Sequence, residues 1–319
     1  MRHSSSFVFF VAVLARSWAP PLSALDPALI RLVGPDVTVL AGIDVDQAKA
    51  SPFGQYLLQQ SQKDEEGFKK LTEATGFDPR RDLREILMAS AGGQNSGLVL
   101  VRGTFDVARI MSLAKTAGAA PESYQGIDVL AGKTPKSGWL AFLDASTAVA
   151  GDEQNVRAAI DRRRGGAGPN TALAARAIEW SAKADAWAVS LGSPKEWGGK
   201  VKTPAGGTAI NPDLLEAIEQ SAGGIKFGPT VLISAEALVR SDKDATALVD
   251  VLRFLVGLTQ LNRQQPGAAE VAALLDTLKF DVTGRTVKVS LSVTEGQLEG
   301  LFKPHSKRHV HPQRTTAVL

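Results

Sequence analysis

Asp78, Arg80, Arg81, Asp82 and Glu85 form the densest knot of acids and cations in the chain. Two carboxylates either side of a bond, one of them kept protonated by its surroundings, is the arrangement that hydrolyses glycosides. Arginines beside them would suit a phosphoester equally well. The same residues also have a plainer use. Asp78 fits an N-cap, Pro79 the first helical position, and Arg80, Arg81, Asp82 and Glu85 a solvated short helix or turn. An aspartate beside an arginine is held ionised, which favours capping over acid catalysis.

A second candidate region is the Gly192–Pro212 loop, rich in Gly, Pro and Lys and without periodicity. There Trp197 stands between Lys195 and Lys200, a grouping suited to contact with a partner or ligand.

Other chemistries are excluded by the residues available. The chain has no cysteine, and its four histidines are His3, His305, His309 and His311, near the two ends. A Ser-His-Asp triad, a histidine base or a thiolate nucleophile in the core is therefore ruled out, and zinc or copper there would need carboxylates alone. Gly132-Lys133-Thr134 ends like a phosphate loop, but Ile127 stands where a glycine is required. Ser112-Leu113-Ala114-Lys115 matches a serine–lysine pattern, yet falls in the middle of an expected helix rather than at its start. Asp44-Val45-Asp46 opens like a calcium loop, but Lys49 and Gln55 occupy the glycine and glutamate positions. A strand end followed by a helix capped by Asp46 accounts for it.

Net charge is +3, with a pI near 9.1. The excess lies in Arg2, Arg16, Lys303, Lys307, Arg308 and Arg314. Without these six, about 30 cations remain against 33 acids, so the body offers no basic footprint for nucleic acid. Residues 1–24 have the make-up of a signal peptide: Arg2 and His3, the apolar run Phe7–Ala15, then Leu22-Ser23-Ala24. That run is too short to span a bilayer.

The elements that must position these residues follow from periodicity. Val37–Ile43 reads as a strand, Leu83–Ala91 with Leu98–Val101 as a hairpin, and Val107–Ala117 as a helix capped by Asp106. Gly126–Ala131 and Gly138–Leu143 make a second hairpin, and a helix ends at Arg162-Arg163-Arg164. The second half repeats that order. Ala186–Leu191 is a strand, Leu214–Gln220 a short helix, and Gly224–Phe227 with Thr230–Val239 a hairpin. A long helix from Asp242 with two apolar faces suits a place between layers. Leu278–Thr283 and Thr286–Val293 alternate strictly around Gly284-Arg285, a type II′ turn signal, and leave a wet sheet face of Lys279, Asp281, Lys288, Ser290 and Ser292.

These elements predict an α+β protein: two similar lobes of antiparallel sheet with helices on one face, produced by internal duplication, their sheets open to running into one. The boundaries are a signal peptide at 1–24, a first lobe at 27–165, a linker at 166–171, a second lobe at 172–302 and a basic disordered tail at 303–319. Val39-Leu40-Ala41-Gly42-Ile43-Asp44 and Phe77-Asp78-Pro79-Arg80-Arg81-Asp82-Leu83 together resemble exported bacterial proteins of unknown function with a duplicated α+β body, over residues 35–302. The resemblance implies export and duplication, and no catalytic residues. The expected function is an exported (periplasmic or secreted), non-catalytic binding or scaffold protein. It would engage an unknown protein or small ligand of the cell envelope through its loops or the inter-lobe groove. No cofactor, no nucleic acid and, after signal cleavage, no transmembrane span are expected. The alternative is a carboxylate-dependent hydrolase centred on Asp78, Asp82 and Glu85.

Overall fold

The structure, a computed structural model, describes residues 25–61, 65–92, 97–119, 121–132, 138–193, 212–261, 273–294 and 296–297. The signal segment, the basic tail and the Lys195–Lys200 stretch with Trp197 lie outside these residues. No helix among the described residues is long and apolar enough to cross a membrane.

The fold is α+β around one antiparallel sheet of twelve strands. Its centre is the antiparallel pair β1 (Val39–Asp44) and β8 (Ala186–Leu191), which joins the two halves through pairs such as Ala41↔Ala188. Outward on one side run β2 (Leu83–Ser90), β3 (Leu98–Gly103), β7 (Thr147–Gly151), β6 (Trp139–Asp144), β5 (Ile127–Leu130) and β4 (Glu122–Tyr124). On the other side run β9 (Ile218–Lys226), β10 (Thr230–Val239), β12 (Thr286–Thr294) and the edge strand β11 (Lys279–Thr283). Hence β1-β2-β3-β7-β6 and β8-β9-β10-β12-β11 follow the same order. This is a repeat of topology; a duplication of the chain is not shown by it. The counterpart of β11–β12 is β6–β7 rather than the hairpin expected over Gly126–Leu143. Gly284 takes φ +56° in the β11–β12 turn, as a II′ turn requires.

The helices are shared between both sheet faces, where one face was expected to carry them. On one face, α1 (Pro27–Ile30), α7 (Glu153–Arg162) and α8 (Thr171–Lys183) cover the main core of Leu29, Leu40, Leu87, Leu100, Val149, Val156, Ile160 and Leu173. That core continues to Trp180, Trp187 and Val189 of the second half. On the opposite face α10 (Asp242–Leu261) lies over β10, β11 and β12, burying Ala245, Leu248 and Val249 against Val239 and Val287. Alternation along the strands requires this: both faces of the central strands are apolar, so both need cover. The second apolar face of α10 is not sandwiched. Phe254 is 64% exposed.

Elsewhere the boundaries shift by a few residues. Asp44, not Asp46, caps α2 (Val45–Ala50), its carboxylate accepting from the Gln47 amide at 2.9 Å. The short helix expected over Leu214–Gln220 is α9 (Pro212–Glu216), and Ile218 already begins β9.

At Gly42 the halves meet tightly. A Cβ there would stand 2.5 Å from the Trp187 ring. Gly42→Ala is expected to cost about 1–3 kcal/mol, read from urea unfolding, since close-packed rings cannot yield. A loss below about 0.5 kcal/mol would show that Trp187 has room to move.

Candidate functional site

The charged knot resolves into two separate arrangements. Asp78 caps α5 (Pro79–Asp82), accepting from the Arg80 amide at 3.0 Å and from the Arg80 guanidinium at 3.0 and 2.8 Å. Asp82 is buried and takes the Arg81 guanidinium on both oxygens at 2.7 Å, plus the Asp78 amide at 2.8 Å. Hydrogen bonds from these arginines hold both carboxyls below the usual range, despite the opposing effect of burial. Neither can carry a proton near neutrality. Arg80 also lies over the Phe68 ring at 4.6 Å. The group is a helix start pinned by paired charges.

Glu85 belongs to a different set. It lies on β2 opposite Asp44 of β1 and Arg102 of β3, and accepts weakly from the Asp26 amide at 3.4 Å. Arg102 is committed to Asp26 at 2.6 and 2.7 Å, and to the hydroxyls of Ser146 and Thr147. The Asp44 Oδ2 atom is buried without a partner. Burial, then the neighbouring Asp26 and Asp44, push Glu85 up to about 7. The unfolded chain thus releases this proton at a lower pH than the folded one. The associated stability is full below about 4.5 and lost as pH rises to about 7. After allowance for partial exposure, Glu85→Gln is expected to gain about 1–2 kcal/mol at pH 8 and none at pH 4. Unfolding midpoints across that pH range check it; an unchanged pH profile would contradict it.

A large hollow lies elsewhere, in a place that local sequence reading missed. Three neighbouring strands carry small residues in register on the α10 face. Ala188, Gly223 and Ala235 form one row; Ser190, Ser221 and Ala237 form the next. Beneath a helix with long aliphatic side chains such a floor leaves a trough. Its volume is about 680 Å³, within the roughly 300–1,000 Å³ usual for small-molecule sites. Leu248, Leu252, Leu255 and Val256 of α10 form the roof, and Leu275, Leu278, Phe280, Val287 and Val289 close the side. Glu236 is the one charged residue of the described lining, and its carboxylate binds Arg176 of α8 at 2.9 Å.

Two other hollows differ in character. One of about 320 Å³ lies among α2, α3 (Pro52–Ser61) and Phe227, with Lys49 and Arg80 on its border. The other, about 420 Å³, is on the wet sheet face beside Lys183, Asp281, Lys288 and Ser290. Among the described residues no group of acids could hold a metal ion.

Two solved structures share this fold. They are crystal forms I and III of TP0453, each with a TM-score of 0.51, at 11% and 9% identity. The match covers 88% and 87% of this chain and 97% of each of theirs. At such identity the likeness is one of architecture. No family model and no curated protein matches the chain.

Proposed function

We propose that the chain is an exported, non-catalytic carrier that holds an apolar ligand, a hydrocarbon chain, in the trough between α10 and the sheet. The observation that carries this reading is the trough itself: large, open, and lined almost wholly by aliphatic side chains and small residues. An open apolar hollow left to water forgoes burial worth about 25 cal/mol per Å², so a hydrocarbon occupant recovers what the fold leaves unburied. Export rests on the composition of residues 1–24. This reading takes the trough under α10, in place of a groove between two separate lobes, as the binding site.

For a hydrolase centred on Asp78, Asp82 and Glu85 the raised Glu85 is the one favourable observation, but that residue stands in a separate set from the other two. Two of the three carboxylates are tied to arginines, and the third turns to Asp26, Asp44 and Arg102. The carrier is tested by titrating the protein with N-phenyl-1-naphthylamine, a neutral apolar fluorophore. One saturable site per chain, displaced by hexadecane delivered from cyclodextrin, is the expected result. Emission that never saturates, or that hexadecane leaves unchanged, would refute it.

A further inference from the structure

We infer that the ligand is a single-chain amphiphile with an uncharged oxygen-bearing head, seated against Ser190 and Ser221. The inference rests on the carrier reading and adds the ligand class. Ser190 is 2% exposed, and its hydroxyl has no hydrogen-bond partner. A buried hydroxyl left unpaired is costly, and native structures seldom keep one without a use. Its place in the sheet supplies the use. Ser190 opposes Ser221 across β8–β9, and Ser221 opposes Ala237 across β9–β10. Ser221, Ala237 and the neighbouring Ala188 all line the trough. Ser221 therefore lines an otherwise aliphatic hollow, and the unpaired Ser190 hydroxyl is buried beside it at the paired position of β8.

Hydroxyls both donate and accept, so they match an alcohol, ester or glycerol oxygen. Without a counter-charge they do not offset the cost of burying an ion. The described lining holds no cation to meet a carboxylate, and its one acid, Glu236, is already paired on the opposite face. The head is therefore neutral, and the chain runs beneath α10 towards Val287 and Phe280.

The test compares displacement of N-phenyl-1-naphthylamine by 1-monopalmitoylglycerol, palmitate and hexadecane in the parent, Ser190→Ala and Ser221→Ala. Each variant is expected to bind monopalmitoylglycerol about tenfold more weakly, with hexadecane held within about twofold. Unliganded Ser190→Ala should melt about 2–4 °C higher, because an unpaired buried hydroxyl is gone. Ser221→Ala, at a half-buried position, keeps the comparison open should Ser190→Ala fold poorly. Equal loss for both probes, no loss for either, or palmitate bound more tightly than monopalmitoylglycerol would overturn the seat while leaving a carrier. Failure of every probe to bind would overturn the carrier reading and the seat with it.

Discussion

Arg102→Met is expected to destabilise the fold by about 2–3 kcal/mol, below the 3–5 kcal/mol typical of breaking a fully buried pair because both partners keep some exposure. Arg102 is the cation that acts on Glu85, and it also holds Asp26, the N-cap of α1. Methionine keeps much of the volume and removes the charge. Asp26, Asp44 and Glu85 are then left facing one another without compensation, and the Ser146 and Thr147 hydroxyls each lose a donor. The loss should concentrate at α1, whose Leu29, with Leu32 and Val33 just beyond it, is buried in the main core. Amide exchange at residues 28–33 should rise before that of β1 or β2. Because Glu85 and Arg102 interact, adding Glu85→Gln to Arg102→Met should restore about 1 kcal/mol. A loss under about 0.5 kcal/mol would mean that water already serves these carboxylates.

Ala235→Phe is the second large effect, and it acts on binding. Ala235 is exposed within the trough, with Gly223 and Val289 beside it in register. A phenyl group placed there occupies the hollow without displacing packed atoms, so stability should hold or rise. The apolar fluorophore should bind more than about tenfold more weakly, since a chain excluded from the trough loses about 0.8 kcal/mol per buried methylene. Full retention of binding by the Ala235→Phe variant would put the ligand elsewhere, the hollow beside Phe53 being the next candidate.

How far the sequence reveals this account depends on the range of each interaction. The β11–β12 hairpin was legible because alternation and Gly284 are local signals. So was the Asp78-Pro79 helix start, where cap and first turn lie within a few residues. The Asp46 cap was misplaced because a separate short helix, α2, capped by Asp44, precedes the helix α3 that starts at Pro52. β4 was missed because three residues after Pro121 carry no period, and its pairing with β5 depends on the left-handed Gln125-Gly126 turn. The trough was the least legible feature. Ala188, Ser221 and Ala235 are ordinary strand residues alone and become a floor only once β8, β9 and β10 are set side by side. In hindsight Ser221-Ala222-Gly223-Gly224 and Ala235-Glu236-Ala237 carry the hint, since strands with so many small residues pack poorly unless something else fills the space. Glu85 was singled out with the wrong neighbours for a similar reason. Its company comes from α1, β1 and β3, and only register brings them together.

The most direct measurement is a methyl-resolved NMR titration of the protein with 1-monopalmitoylglycerol. The account predicts shifts that saturate at one equivalent and cluster on Leu248, Leu252, Val287 and Val289, with Leu87 and Leu100 of the main core unmoved. Shifts confined to Leu57 and Leu58 of α3, or spread evenly across both halves, would contradict it.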